Sequence, residues 1–324
     1  MCTYNGAAYV LEQLESIAAQ TRLPDELVIC DDRSNDGLTP EIVREFASRI
    51  QFPVRLFVNR KNLGGKKNYQ LAIDRCQGDI ILFCGQDDVW KANKLARIEA
   101  VFSSAPEVGL VFTDAEVVSE DLHTLVDSLV DNSAFGIESQ ALVNDGKALR
   151  VLLQGNVVTG ATMAFRSCFR PLVVPIPEDT ILQEDAWIAL IIAAVATIVF
   201  LKEPLIKYRQ HAGQQIGVSI KGSKYEHRES PLIRAVREIG YPAGHIHAFK
   251  TAYARLVTKC SGLAAEDALA AIRSWITRLE NEKAVRENEV APAGKRKDWV
   301  KMKQQNDSRV IRFAPYIWKD LWRL

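Results

Sequence analysis

The stretch GDIILFCGQDDVW, residues 78–90, reads in two halves. DIILFC (79–84) is a short apolar run rich in branched and aromatic side chains, the composition of a buried strand. Immediately behind it stand Gln86, Asp87 and Asp88, so the strand delivers two adjacent carboxylates at its C-terminal end. A helical pattern from Lys94 to Phe102 follows. Open α/β sheets bind ligands outside the carboxyl ends of their strands, so the position of these acids matters as much as their identity.

The same arrangement recurs upstream. LVIC (27–30) is a buried-type strand that ends in Asp31 and Asp32. Around it, Tyr9–Gln20 places Val10, Leu11, Leu14, Ile17 and Ala18 on one helical face, and Pro40 opens a second helix running to about Ser48. VRLFV (54–58) and GLVFTD (109–114) are further strands, and residues 64–76 are a helix. This alternation predicts an α/β fold with a mainly parallel sheet flanked by helices. After Ala115 the pattern loosens. VVTGATMAF (157–165) reads as a strand, residues 181–196 as a helix, and TIVFL and LIKYRQH as strand-like stretches. From about Ser219 the chain is polar and helical, with a clear helix near residues 264–286. The expected division is a domain of residues 1–218 and a helical, basic region of residues 219–324.

Composition narrows the class. The 324 residues are 48% hydrophobic and 25% charged with a net charge of +1, an ordinary globular balance. The charge is unevenly spread: residues 1–220 carry 20 Lys and Arg against 28 Asp and Glu, residues 221–324 carry 21 against 12. An acidic body with a basic end fits an anionic surface as partner of the second part. The six cysteines contain no CxxC pair and read as small buried hydrophobes in a reducing compartment. Met1 is followed by neither a basic nor an apolar leader, and the longest uncharged apolar run, residues 186–201, is shorter than the roughly twenty residues a spanning helix needs.

Several groups could carry chemistry. Asp87 and Asp88 are hard oxygen donors of the kind that hold Mg²⁺ or Mn²⁺ against phosphate oxygens; a solvated turn is the alternative. Asp31 and Asp32 could accept from a base N–H or a ribose hydroxyl. Asn62–Lys67 is a glycine turn opening a helix, suited to a diphosphate or simply to starting the helix. Glu184 and Asp185 begin an apolar helix, where they either cap it or supply a general base beside Trp187, whose ring could stack on a sugar. His211, in YRQH, is one of five histidines, and a lone histidine is usually structural. Neither GxGxxG nor a P-loop is present.

Taken in order, TYNGAAYVLEQLESI, VICDDRSNDG, NLGGKKNYQLAI, GDIILFCGQDDVWKANKL, VTGATMAF, QEDAW and YRQHAGQQIG resemble glycosyltransferase family 2, in particular bacterial rhamnosyltransferase-like members. The resemblance spans roughly residues 1–217. It implies a GT-A fold and an inverting transfer of a sugar, with rhamnose one candidate, from a dTDP- or UDP-sugar to a glycan or lipid-linked acceptor of a cell-surface polysaccharide. On that resemblance Thr3, Asn5, Asp31 and Asp32 match positions holding base and ribose, and Asn62 and Gly64 the loop behind the nucleotide. Asp87 and Asp88 match the metal and ribose site, Asp185 the catalytic base and His211 a group reaching the metal or diphosphate; Trp187, read from its place beside Asp185, is the expected acceptor contact. The implied cofactor is Mg²⁺ or Mn²⁺.

Three departures from the family pattern stand out. Gly85 occupies a position where an Asp is frequent, which removes one acidic partner. Glu184 stands where His is frequent, and a neighbouring carboxylate raises the apparent pKa of the pair. An apolar strand ordinarily precedes the TYN turn, of which only Met1 and Cys2 remain; the expectation is that an extended N-terminus completes it.

KRKDWVKMKQQNDSRVIRFAPYIWKDLWRL (295–324) interleaves Lys and Arg with Trp299, Phe313, Tyr316, Trp318 and Trp322. That mixture suits a membrane interface, or a terminal helix packed on the body, better than nucleic acid. The expected location is the cytoplasm, peripheral to the inner face of the cell membrane. Two other readings compete: a domain that binds a nucleotide sugar without turnover, and a sugar nucleotidyltransferase, for which the early glycine-rich triphosphate loop is missing.

Overall fold

The computed structural model describes residues 1–133, 135–214, 217, 218, 220, 231–260 and 263–289. The basic 295–324 stretch lies outside the described residues. The chain divides into two compact units, Met1–Ile176 with Glu184–Glu226, and Pro177–Gln183 with His227–Leu324.

The first unit opens with the expected alternation: β1 (Cys2–Thr3), α1 (Val10–Ala18), β2 (Leu27–Asp31), α2 (Thr39–Arg49), β3 (Val54–Val58), α3 (Gly65–Arg75) and β4 (Ile80–Leu82). Then come β5 (Val89–Trp90), α4 (Lys94–Ser104), β6 (Val108–Val118) and β7 (Thr124–Val126). Val10, Leu14 and Ile17 are buried, as their helical spacing demands, and every residue of β2 is buried because strands flank it on both sides. β1, β2 and β3 form a parallel sheet in which Thr3 lies opposite Asp31. β1 is a strand of two residues, and the Met1 amino group before it donates to the Val28 carbonyl at 2.8 Å.

The remaining strands form a second, mixed sheet. Its order is β4-β8-β6-β9-β5, with β7 on β6, β8 being Met163–Arg166 and β9 Thr197–Arg209. Only β6 and β9 run parallel in it. The α/β class is as expected, but parallel pairing is confined to the first sheet and to this one long pair. TIVFL and LIKYR belong to a single strand, which passes Pro204, a residue with no N–H to donate, by shifting register opposite Asp114. VVTGATMAF is strand only from Met163, because residues 160–162 close a 3-10 turn in which both the amide and the hydroxyl of Thr162 donate to the Thr159 carbonyl.

Between β7 and β8 lie α5 (Ile137–Leu142) and α6 (Ala148–Leu152), and α7 (Arg170–Val173) follows β8. α8 (Glu184–Ala193) is apolar on all sides beyond its first turn, and Ala186–Ile192 are all buried. It packs against β6 so closely that a Cβ at Gly109 would lie 2.6 Å from that of Ala196 and 2.8 Å from Ile192. The second unit contains α9 (Pro231–Lys259) and α10 (Leu263–Glu289), which meet through Phe249, Ala252 and Leu256 on one and Ile272, Ile276 and Leu279 on the other. Among the described residues no helix is long and apolar enough to cross a membrane.

Candidate active site

A cleft of about 510 Å³ lies in the first unit at the ends of β1, β2 and β4. Thr3, Asp32, Asn62, Gly64, Asp87, Asp88 and Asp185 all line it. Asn5, Asp31, Trp187 and His211 do not.

The wall formed by the first sheet is held by two carboxylates with different tasks. Asp31 has no exposed surface. It accepts from the Thr3 hydroxyl at 2.9 Å and from the amide and hydroxyl of Ser34 at 2.9 and 2.6 Å. Asp31 therefore ties the end of β1 to the loop after β2 and offers no surface to a base or ribose, a correction to its expected role. Asp32 accepts from the amides of Leu63 and Gly64, both at 2.8 Å, and from Asn59 Nδ2 at 2.9 Å. It draws the 62–64 loop to the cleft edge. Gly64 takes φ +82, which a side chain at that position would strain. Asn5 also differs from expectation: its oxygen accepts from the Asn35 amide and its own amide donates to Ser34, so it braces a loop. The TYN turn is clamped from the far side by Gln86, which accepts from the Tyr4 amide at 2.9 Å and donates to the Tyr4 carbonyl at 3.1 Å.

The acidic pair follows β4. A Cβ on Gly85 would lie 2.7 Å from Asp88 Oδ2 and 3.0 Å from Asp87 Oδ1. Both carboxylates thus converge on the open side of Gly85, and an Asp at 85 fits only if Asp88 moves. Asp88 is 2% exposed, and burial, with the Asp87 charge second, holds its carboxyl far above the usual range. Asp87 pairs with His211 Nε2 at 3.0 Å, and the His211 ring packs on Tyr9 at 4.5 Å. His211 therefore orients Asp87, with the nitrogen expected to face a metal already engaged. Arg209, 3% exposed, closes the rear: its Nε donates to the Asp87 carbonyl at 2.8 Å and its amide to Asp88 Oδ1 at 3.3 Å. The guanidinium also pairs with Glu12 and lies 4.8 Å over the Tyr9 ring.

Among the described residues no cluster of three or more His, Cys, Asp or Glu is arranged around a common point for a metal. Mg²⁺ and Mn²⁺ are typically bound through one or two carboxylates, completed by water and substrate phosphates. Two converging, mutually repelling carboxylates fit an ion shared with a diphosphate.

Across the cleft, α8 begins at Glu184. Asp185 Oδ2 accepts from the Gly160 amide at 2.9 Å and Oδ1 from the Ala186 amide at 2.6 Å. One oxygen of Asp185 is thus held within the first turn of α8 and the other by the 160–162 turn. Burial pushes the Asp185 carboxyl up to about 6, partly offset by these amides. The Glu184 carboxyl is pushed up to about 7, first by burial and then by the Asp185 charge. The expected rise of the pair is present, with desolvation as its larger cause. Trp187, in contrast, is fully buried and donates from Nε1 to the Val173 carbonyl at 2.8 Å. It points into the core two positions past Asp185, so it has no face to offer an acceptor.

A pH dependence follows. The folded state keeps protons on Glu184 and Asp185 that the unfolded chain releases near pH 4, so their contribution favours folding at acid pH and is lost as pH rises through about 6 to 7. Glu184→Gln removes part of this. We expect it to match the parent in melting temperature near pH 4 and to exceed it at pH 8 by on the order of 1–2 kcal/mol, discounted for partial exposure. A difference that does not vary with pH would refute this account of Glu184.

Sequence reasoning missed Gln86, Lys94 and Arg209. Each looks like an ordinary surface residue in one dimension, and only the folded chain buries Lys94 and Arg209.

Residues 1–140 match Glycosyl transferase family 2. Over 99 residues the chain is 35% identical to the dTDP-rhamnosyl transferase RfbG of Shigella flexneri, a match covering 29% of this chain and 34% of that one. Matches to the curated relatives typically span about a third of those proteins' length. Among solved structures, S. aureus TarS in complex with UDP superposes with a TM-score of 0.54 at 18% identity, over 84% of this chain and 68% of that one. The mannosyltransferase PcManGT of Pyrobaculum calidifontis, in complex with GDP-Man and Mn²⁺, gives 0.50 at 17% over 86% and 82%. These likenesses establish the GT-A fold.

Proposed function

We propose, on the match of residues 1–140 to glycosyl transferase family 2, that this chain is an inverting glycosyltransferase that moves a sugar from a nucleoside diphosphate to a glycan or lipid-linked acceptor. The observation that carries the reading is that three segments far apart in sequence, around Asp32, Asp88 and Asp185, line one cleft. Rhamnose is the sugar we favour, on the likeness to RfbG; uridine and guanosine nucleotides appear with the structural neighbours.

In this reading the nucleotide lies against Thr3, Asp32 and the 62–64 loop, and its diphosphate approaches Asp87 and Asp88. A divalent ion there would neutralise charge growing on the leaving diphosphate. Asp185 takes the proton of the acceptor hydroxyl as that oxygen bonds to the anomeric carbon and the bond from that carbon to the diphosphate oxygen breaks. With its pKa near 6, Asp185 is ionised at neutral pH yet basic enough to act. The Gly160 and Ala186 amides fix its orientation and leave lone pairs for the acceptor. The basic, aromatic 295–324 stretch would hold the protein at an anionic membrane near a lipid-linked acceptor.

The test is a thermal-shift screen of dTDP-, UDP- and GDP-sugars with and without Mn²⁺, followed by assay of nucleoside diphosphate release. One donor should raise the melting temperature, more so with Mn²⁺. Failure of every donor to stabilise the protein defeats the proposal, and binding without release on any acceptor leaves the non-catalytic reading, which Gly85 favours. Salt-sensitive binding to anionic vesicles, lost on deleting 295–324, tests the membrane arm; binding unchanged by the deletion defeats it.

A further inference from the structure

Lys94 is fully buried, and with Arg209 it is one of two buried Lys or Arg side chains among the described residues. Its position is unfavourable on two counts. Burial strips an ammonium of water, and the first turn of a helix, here α4, repels positive charge. Something other than α4 accounts for it. The Nζ donates to the Ala161 carbonyl at 2.9 Å and lies 4.2 Å over the Trp90 ring. Ala161 belongs to the 3-10 turn of residues 160–162, and the preceding amide, Gly160 N–H, holds Asp185 Oδ2 at 2.9 Å. The turn has little slack, since a Cβ on Gly160 would lie 3.3 Å from that same oxygen. One lysine on the element following the acidic pair thus anchors the turn that grips the carboxylate on the opposite side of the cleft.

We propose that Lys94 is a positioning residue for Asp185, acting through the Ala161 carbonyl and the Gly160 amide. The proposal rests on Asp185 being the general base. No residue of α4, Lys94 included, lines the cleft, so Lys94 acts from behind the 160–162 turn and sets the orientation of the base without touching substrate.

The test is a cycle of Lys94→Met, Gly160→Ala and the double variant, with Asp185→Asn alongside. Lys94→Met should lower kcat about 10- to 100-fold with donor KM within about threefold of the parent, the signature of a misaligned group in a site that still binds. Gly160→Ala crowds the same oxygen, so the double variant should lose little more than the worse single one. Hydrogen exchange of a peptide covering 158–163 should accelerate in Lys94→Met while α8 stays protected, a readout independent of turnover and of overall folding. Losses that multiply, or unchanged exchange at 158–163, overturn the role of Lys94. If Asp185→Asn turns over like the parent while Lys94→Met still loosens 158–163, the base assignment fails and the anchoring of the turn stands.

Discussion

Asp185→Asn is expected to slow sugar transfer by about 10²- to 10⁴-fold while nucleotide-sugar binding stays within a few fold of the parent. The substitution is nearly isosteric and removes the ability to take a proton. The amide oxygen can still accept from the Ala186 amide, which lies 2.6 Å from the present carboxylate. Its nitrogen would then face the Gly160 amide, donor against donor, so some loosening of the 160–162 turn accompanies the loss of the base. Folding should not suffer at neutral pH. Burial disfavours the ionised carboxylate, and its folded pKa, raised to about 6, means that a neutral group there relieves a cost. In the parent the rate should fall as the medium is acidified through about pH 6, because the proton acceptor is then occupied. Transfer by Asp185→Asn within tenfold of the parent, measured as diphosphate release beside a melting curve, would remove Asp185 from this role.

Trp187→Ala is expected to cost about 3–5 kcal/mol of stability, the range for truncating a buried aromatic. The ring has no exposed surface, and its Nε1 proton is donated to the Val173 carbonyl. The truncation leaves a cavity under α8 and an unpaired carbonyl on α7 together. Trp187→Phe keeps most of the packing and loses the hydrogen bond, so it should cost about 1–2 kcal/mol and leave acceptor KM unchanged. A wild-type melting temperature for Trp187→Ala combined with a raised acceptor KM would restore the stacking role.

These two neighbours show how far one dimension reaches. QEDAW marks the start of an apolar helix, and both Asp185 as a base and Trp187 beside a sugar were reasonable readings of the same five letters. Two positions along a helix are about 200° apart, so the Asp185 side chain meets the cleft and that of Trp187 meets the core. Local pattern contains no reference to where the cleft is. Asp31 and Asp32 pose the same problem on a strand, where successive side chains alternate in direction. Asp31 is absorbed in the bonds of Thr3 and Ser34, while Asp32 organises the cleft edge.

What the sequence determined by itself was the order of strands and helices, the acids that end β2 and β4, and the family those segments resemble. These depend on periodicity and on residues a few positions apart, which short-range geometry controls. Only the tertiary structure decided that the second sheet is mixed, that His211 serves Asp87, and that Lys94 reaches across to Ala161. The last two depend on contacts between residues 67 and 124 positions apart, and the mixed sheet on pairings such as Leu110 with Phe165. Desolvation and hydrogen bonding act there on distances in space, which separation along the chain does not encode.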